Sequence, residues 1–520
     1  MFADIMARPD ICYLTAGNAT RRCRETGDGF VLDDAVVAVD GGCVAVTACE
    51  TKPEKIELVW RQSEIGDPLV LGDAWERGYG DMCWRMLDPE EIMPWYFMAY
   101  EGGRTHCFGV RTRPNAFCYW RMGEGFISLT LDVRAGSVGV ELKGRRLEAA
   151  SLVQTVSNDR PFLAARGFCR MMCGHDLTPA KPVYGGNDWY CSYGNNSYDS
   201  IMLQANRISE CSRNPDNRPY MVVDDGWELL NCSGPWANCR GSFGDMARLA
   251  EDMERCGVTP GIWIRPLYTQ ERTPQLAKIN ADISGNEGMS AIEHTLDPTD
   301  DAVLEQVGRD IRRLRDWGYK LIKHDYSTYD IMGLWGRDMG SGLIVPGRRF
   351  RDSSRTTAEI IKRLYLTIRE SAGEGVTVIG CNTIGHLAAG IFELQRTGDD
   401  TSGREWTRTK NMGVNTLAFR LPQNGTFFAA DADCIGITRN IPWEKNRLWL
   451  DAVMRSGSPL FASIAEDAYD KTVKEALTHA FDIASVQDDS LFEPVNWMTR
   501  RLPTIWQKNG ERYTYDWDMI

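Results

Sequence analysis

Two textures of apolar and polar positions divide the chain. Up to about residue 175, apolar positions alternate or gather in short β-branched runs: "AVVAVDGGCVAVTACE", "KIELVWRQ" and "FISLTLDVRAGSVGVELKG". Gly-containing turns separate them, and "DVRAGSVGVEL" reads as a hairpin. This predicts an all-β domain of the sandwich kind over residues 1–175. Near "HDLTPAKPVYGGNDW" the texture changes, and Pro179 and Pro182 suit a linker. Beyond it, eight short apolar runs alternate with helical stretches. They are "PVYGGNDWY", "RPYMVVDDGW", "VTPGIWIRPL", "YKLIKHDYS", "VTVIGCNT", "GIFELQRTGDD", "GTFFAADADC" and "SGSPLFASI". "DMARLAEDMERCG" and "AVLEQVGRDIRRLRDWG" are two of the helical stretches. In the second, Val303, Val307, Ile311 and Leu314 share a face and Gly318 suits the C-terminal cap. Eight strand-then-helix units over about 280 residues have the rhythm of a (β/α)8 TIM barrel. The fold class is therefore α/β, with the barrel at residues 176–465. A doubly wound sheet would more often open on G-x-G-x-x-G, and "GGNDWYCSYGNN" is not that loop. Residues 466–520 read as a small C-terminal β-domain, with a turn at Asn509-Gly510.

Composition narrows the partners. At 520 residues the chain has room for two or three domains and a large core. Its net charge is −13 with both signs interspersed, which argues against a nucleic-acid partner. No apolar run is long enough for a membrane span. The start, "MFADIMARPDICYLTAG", lacks a basic region followed by an apolar core. A cytoplasmic location is expected, or a periplasmic or secreted one if a signal segment has been removed. A homo-oligomer stays open. The 16 cysteines are scattered through apolar segments and read as reduced, buried thiols. Seventeen Trp and eighteen Tyr suit sugar-stacking platforms and ordinary cores alike.

The candidate chemistry sits where apolar runs stop. The second run ends in Asp224-Asp225-Gly226-Trp227, the third in Trp263-Ile264-Arg265, and the fourth in Lys323-His324-Asp325. The sixth ends in Arg396-Thr397-Gly398-Asp399-Asp400, and the seventh carries Asp431-Ala432-Asp433. Strand alternation puts Lys323 and Asp325 on one side. Each Asp alone would suit a helix N-cap. The same placement on four strands points to one barrel mouth lined with carboxylates, where such enzymes do their chemistry. A zinc site needs His or Cys at ligand spacing; Cys169, Cys173 and His175 lie before the barrel, so no metal is assigned. No phosphate-cradling loop supports Mg²⁺, and no G-x-S-x-G elbow is present, so no cofactor is expected. Paired carboxylates with Trp, Lys and Arg suit carbohydrate chemistry best.

These motifs resemble the α-galactosidase clan, glycoside hydrolase families 27 and 36, and family 36 more closely. The shared features are D-D-G-W at Asp224–Trp227, "GIWIRP", K-x-D at Lys323 and Asp325, "RTGDD", "DADC" and "SGSPLF", in order and at barrel spacing. The resemblance implies a β-sandwich, a (β/α)8 barrel and a small C-terminal β-domain. It implies retaining cleavage of terminal α-galactosides on an oligosaccharide or glycoconjugate, through a covalent glycosyl-enzyme on Asp325. Asp224 and Asp225 would hold sugar hydroxyls, with Lys323 keeping the nucleophile ionised. Trp189 and Trp263 would form walls, Cys381 would lie near the sugar 2-position, and Arg396 would fix the acid/base region. The acid/base is Asp400 or Asp399, with Asp400 favoured. "RTGDD" is also similar to the R-A-S-D-D of raffinose-synthase-like members, so galactosyl transfer stays open beside hydrolysis, as does α-N-acetylgalactosaminide cleavage. A sugar-binding protein on a decayed scaffold is less expected, since both Asp325 and an acid partner are present.

Overall fold

Alternation along Pro53–Arg61 buries Ile56, Leu58 and Trp60 on one face. That strand lies between Ile11–Ala16 and Phe126–Asp132, antiparallel to both, and Phe117–Gly123 continues the sheet. A second antiparallel sheet runs through Ala35–Asp40, Cys43–Thr47, Leu147–Ser157, Arg104–Val110 and Tyr96–Glu101. The sheets meet through aromatic rings: Phe97 of the second lies 5.9 Å from Trp120 of the first. The computed structural model describes residues 2–27, 29–63, 65–174, 179–273, 275–281, 294–486, 488 and 490–519.

The hairpin expected in "DVRAGSVGVEL" is reduced to a single bridge between Ala135 and Val138. The backbone donors around it go elsewhere. Ser137 N–H bonds the Arg348 carbonyl, Val140 N–H bonds Pro53 and Glu141 N–H bonds Ser353, each at 2.9 Å. Other segments satisfy these groups in place of a local return strand.

The eight apolar runs of the second half become parallel strands. They are β1 (Tyr184–Asn187), β2 (Tyr220–Val223), β3 (Thr259–Ile264), β4 (Leu321–His324), β5 (Thr377–Gly380) and β6 (Leu394–Arg396). The seventh run is split into β7 (Ala429–Asp431) and β8 (Cys434–Ile437), and the eighth is β9 (Leu460–Ile464). Asp433, at φ 70°, makes the break. The order across the sheet is β7-β6-β5-β4-β3-β2-β1-β9-β8. Its two edge strands are therefore consecutive pieces of one run of chain.

Helices cover this sheet. Asp301–Asp316 buries Val303, Val307, Ile311 and Leu314, the predicted face, and Asp300 caps its start by accepting the Ala302 N–H. Trp317 is its C-cap, and Gly318 takes the left-handed φ of 105° just beyond.

Two helices fall where strands were expected. Pro161–Cys173 turns Phe162, Ala165, Phe168, Cys169 and Met172 inward at helical spacing, which makes Cys169 and Cys173 core thiols. His175 lies outside the described residues. Lys471–Ala484 buries Val473, Leu477, Ala480 and Phe481, and Phe481 meets the Tyr184 ring of β1 at 5.2 Å. The C-terminal β-structure starts only at Glu493–Pro494 and continues in Ile505–Lys508 and Glu511–Thr514. Asn509 and Gly510, at φ 52° and 83°, make its two-residue turn. All sixteen cysteines are free thiols. Among the described residues, no helix is long and apolar enough to cross a membrane.

Candidate active site

A parallel sheet carries the C-terminal end of every strand to the same edge. At that edge Asp325 extends β4, its N–H bonded to the Ile264 carbonyl of β3 at 3.0 Å. Three donors meet its carboxylate. The Trp263 indole N–H reaches Oδ2 at 3.0 Å, and the backbone N–H groups of Tyr326 and Asn382 reach Oδ1 at 2.8 and 3.1 Å. Burial alone would raise this carboxyl. The charges of Lys323 and Arg77 and the Trp263 N–H outweigh it and hold Asp325 below the ordinary carboxylate range.

Lys323 and Asp224 form a buried ion pair beside Asp325. The Lys323 ammonium donates to Asp224 Oδ2 at 2.6 Å, and the Asn187 side-chain amide at the end of β1 donates to the same oxygen at 2.5 Å. Asp188, one residue on, accepts the Asp224 N–H at 2.7 Å and the side chains of Ser192 and Asn196. Its burial and the nearby Asp224 charge push it up to about 6. His324, between Lys323 and Asp325, faces the other way and packs against Tyr365 and Phe392. Burial holds it uncharged, pushing it down to about 3.

The β6 side is a second charge network. Arg396, buried, donates to Asp433 at 2.8 Å, Asp400 at 3.3 Å and the Cys381 sulfur at 3.5 Å. Asp433 also accepts the Thr401 N–H and hydroxyl, at 2.8 and 2.9 Å, and the Tyr190 hydroxyl. Asp399 is clamped between Arg77 at 3.0 Å and Arg408 at 2.9 Å, with its side chain 14% exposed. Asp400 is 36% exposed and held more loosely, at 3.3 Å from Arg396 and 4.0 Å from Arg77. Burial would raise Asp400, and the charges of Arg396, Arg77 and Lys323 override it and hold it low.

Arg77 comes from the first part of the chain. Its segment runs beside the sixth strand: Gly78 N–H bonds Thr397 O at 2.8 Å, and Asp399 N–H bonds Gly78 O at 3.0 Å. Gly398 is also packed against a third segment, where a Cβ would overlap the Met412 carbonyl. Arg420 anchors the segment through Asp73 at 2.9 Å and the Glu76 carbonyl at 2.6 Å. Arg77 itself pairs with the fully buried Glu76 at 2.9 Å.

The sequence-predicted residues thus gather at one edge of the sheet. Trp189 follows β1 and is half-buried, its ring 5.6 Å from Tyr193. Trp263 is only 1% exposed, packed between Trp236 and Tyr326, so it enters the site through its N–H and offers no open face. Cys381 is buried between Arg77 and Arg396. Residues that sequence reasoning passed over are Glu76, Arg77, Asn187, Asp188, Glu228 and Asn382. Asp188 ends the first apolar run and has the same signature as the others. Nothing local marks Arg77, because "WERGYG" reaches the site only through tertiary packing. Among the described residues, no cluster of three His, Cys, Asp or Glu is arranged to hold a metal.

No family model matches the chain. Its fold is that of the glycoside hydrolase family 36 α-galactosidases. TtGalA, an α-galactosidase from Thermus thermophilus solved with p-nitrophenyl α-D-galactopyranoside, matches with a TM-score of 0.61 at 15% identity, covering 97% of this chain and 99% of that chain. The family 36 α-galactosidase AgaA from Geobacillus stearothermophilus matches with a TM-score of 0.59 at 12% identity, covering 93% and 75%. A complex of TtGalA with stachyose matches with a TM-score of 0.59 at 16% identity, covering 91% and 99%.

Proposed function

We propose that this chain is a retaining glycoside hydrolase that removes terminal α-galactosyl residues by double displacement, on a sheet that closes into a (β/α)8 barrel. The two edge strands, β7 and β8, are consecutive along the chain, and this supports the closure. The observation that carries the reading is Asp325: a buried carboxylate kept ionised by Lys323 and three N–H donors, in the field of a second, more exposed carboxyl at Asp400. The fold shared with α-galactosidases supports the choice of sugar.

In the first step an Asp325 oxygen attacks the anomeric carbon, and the bond from that carbon to the glycosidic oxygen breaks. Asp400 gives its proton to the leaving oxygen. In the second step Asp400 takes a proton from water as the water oxygen attacks the same carbon, and Asp325 leaves as carboxylate. Asp224, fixed by Lys323 and Asn187, accepts from sugar hydroxyls. Arg77 and Arg408 hold Asp399 in ion pairs beside Asp400.

A nitrophenyl-glycoside panel tests the reading: α-galactoside, β-galactoside, α-N-acetylgalactosaminide and α-glucoside. Turnover is expected on the α-galactoside above all. A preference for any other member removes the galactoside assignment, and a trisaccharide formed from sucrose as acceptor, or a tetrasaccharide formed from raffinose, would indicate transfer. Within the site, Asp224→Asn is expected to lower kcat/KM by roughly 10- to 100-fold, the loss of a charged acceptor worth about 1.5–3 kcal/mol. Unchanged kinetics would take Asp224 out of the sugar contact.

The charge network also sets a pH profile. Productive enzyme needs Asp325 ionised and Asp400 protonated. Both are held low, so kcat/KM is expected to peak on the acid side and to fall as pH rises through the Asp400 value. Arg77 lowers both groups. Arg77→Met should therefore move both limbs to higher pH, by about one unit, and Arg77→Lys should move them back. A profile that stays in place in Arg77→Met would show that Arg77 acts on structure alone.

A further inference from the structure

Four carboxyls crowd the β2 side of the mouth: Asp224, Asp225, Glu228 and Asp325. Their donors can be counted. Asp224 has Lys323, Asn187 and the Asp225 N–H, and Asp325 has the Trp263, Tyr326 and Asn382 N–H groups. Glu228 is fully buried and accepts the Gly226 N–H at 3.0 Å and the Cys232 N–H at 2.7 Å. Oδ1 of Asp225 is buried and meets no donor. Its neighbour is the Glu228 carboxyl, in hydrogen-bonding contact.

Two carboxylates in such contact are stable only with a proton between them. Glu228 already has two N–H donors, which favour its anion, so the proton belongs to Asp225. The surrounding groups do not relieve the crowding. Asp224 and Asp325 add negative charge, and Cys232 and Tyr326 are neutral neighbours whose thiol and phenol burial pushes further up. Of the nearby cations, Lys323 is bound to Asp224, and Arg265 is bound bidentately to Asp330 at 2.6 and 3.0 Å.

We propose that Asp225 and Glu228 share a single proton at neutral pH, so that the sugar-binding wall presents a neutral carboxyl at Asp225 beside the Lys323-paired carboxyl of Asp224. The functional part of this rests on the reading of the mouth as a sugar site. Burial and the Glu228 charge push Asp225 up to about 9. Below that value the proton ties Asp225 to the loop that Glu228 braces through Gly226 and Cys232. Above it both groups are anions, and their repulsion displaces Asp225 from the sugar.

The test pairs two readouts on the full chain. The dissociation constant of D-galactose is measured from neutral pH to about pH 10, and infrared difference spectra over the same range report protonated carboxyl groups. Wild-type affinity is expected to hold at neutral pH and to weaken at least tenfold as pH passes about 9, with loss of a carboxyl C=O band. Glu228→Gln keeps one acceptor oxygen, for either the Gly226 or the Cys232 N–H, and replaces the other with an amide that supplies an N–H to Asp225. It should bind galactose at neutral pH, show no alkaline loss and lack the band. An alkaline transition unchanged in Glu228→Gln overturns the shared proton, as does a wild type with neither transition nor band. A band that titrates as expected in a protein that binds no galactose at any pH would leave the proton pair standing and overturn the sugar site.

Discussion

Asp325→Ala is expected to lower the turnover of an α-galactoside by on the order of 10⁴-fold or more, because no covalent intermediate can form without the nucleophile. The fold should survive. The Lys323–Asp224 pair does not depend on Asp325, and the three N–H groups that lose their acceptor sit at the strand ends, where water can replace it. Near-ultraviolet circular dichroism and the melting temperature check this. The alanine leaves room for a small anion on the face from which Asp325 attacks. Azide with an activated aryl galactoside should therefore restore part of the rate and yield the galactosyl azide of inverted, β configuration. Near-normal activity in a correctly folded mutant would mean that another group attacks. An azide product of retained configuration would place the nucleophile on the opposite face.

The acid/base change should be nearly as large, but its size should depend on the substrate. A poor leaving group must be protonated in the transition state, and a dinitrophenolate need not be. Asp400→Ala is expected to lose about 10²- to 10⁴-fold on a natural oligosaccharide and far less on a dinitrophenyl galactoside. With the activated substrate the covalent intermediate should accumulate, and azide should speed its breakdown. Asp399 has the opposite signature in the structure: two arginines clamp it at 3.0 and 2.9 Å, and only 14% of its side chain is exposed. Asp399→Ala should slow both substrates by similar factors, because it frees Arg77 and Arg408 rather than removing a proton donor. Leaving-group dependence in Asp399→Ala and not in Asp400→Ala would exchange the two roles. Independence in both mutants would sink the paired-carboxylate mechanism.

The strands of the parallel sheet were legible because each is a short apolar run buried on both faces, and its ends are marked by a charged residue or glycine. Asp224, Asp225, Lys323, Asp325, Arg396, Asp399 and Asp400 were legible for the same reason, since they stand where those runs stop. The β assignment was less secure where local pattern competes with tertiary partners. "DVRAGSVGVEL" alternates like a hairpin, yet its N–H groups find Arg348, Pro53 and Ser353. Pro161–Cys173 and Lys471–Ala484 are short amphipathic helices inside stretches that otherwise read as strand.

The sequence by itself determined the strand order along the chain and the residues at the strand ends, because period-two and period-3.6 burial are local properties of a polypeptide. It also placed Lys323 and Asp325 on one side of their strand. Only the tertiary structure decided which charges meet. Arg77 lies 322 positions before Asp399 and becomes its partner because the backbone at Gly78 bridges that at Gly398. Trp263 looked like a platform and is instead an enclosed donor, since burial depends on Trp236 and Tyr326 packing over it. Asp399 and Asp400 are equivalent as letters, and they differ because Arg77, from a distant segment, and Arg408, nine residues on, close on one of them. Electrostatic environment acts through space, so neighbours far apart along the chain set the protonation of each group.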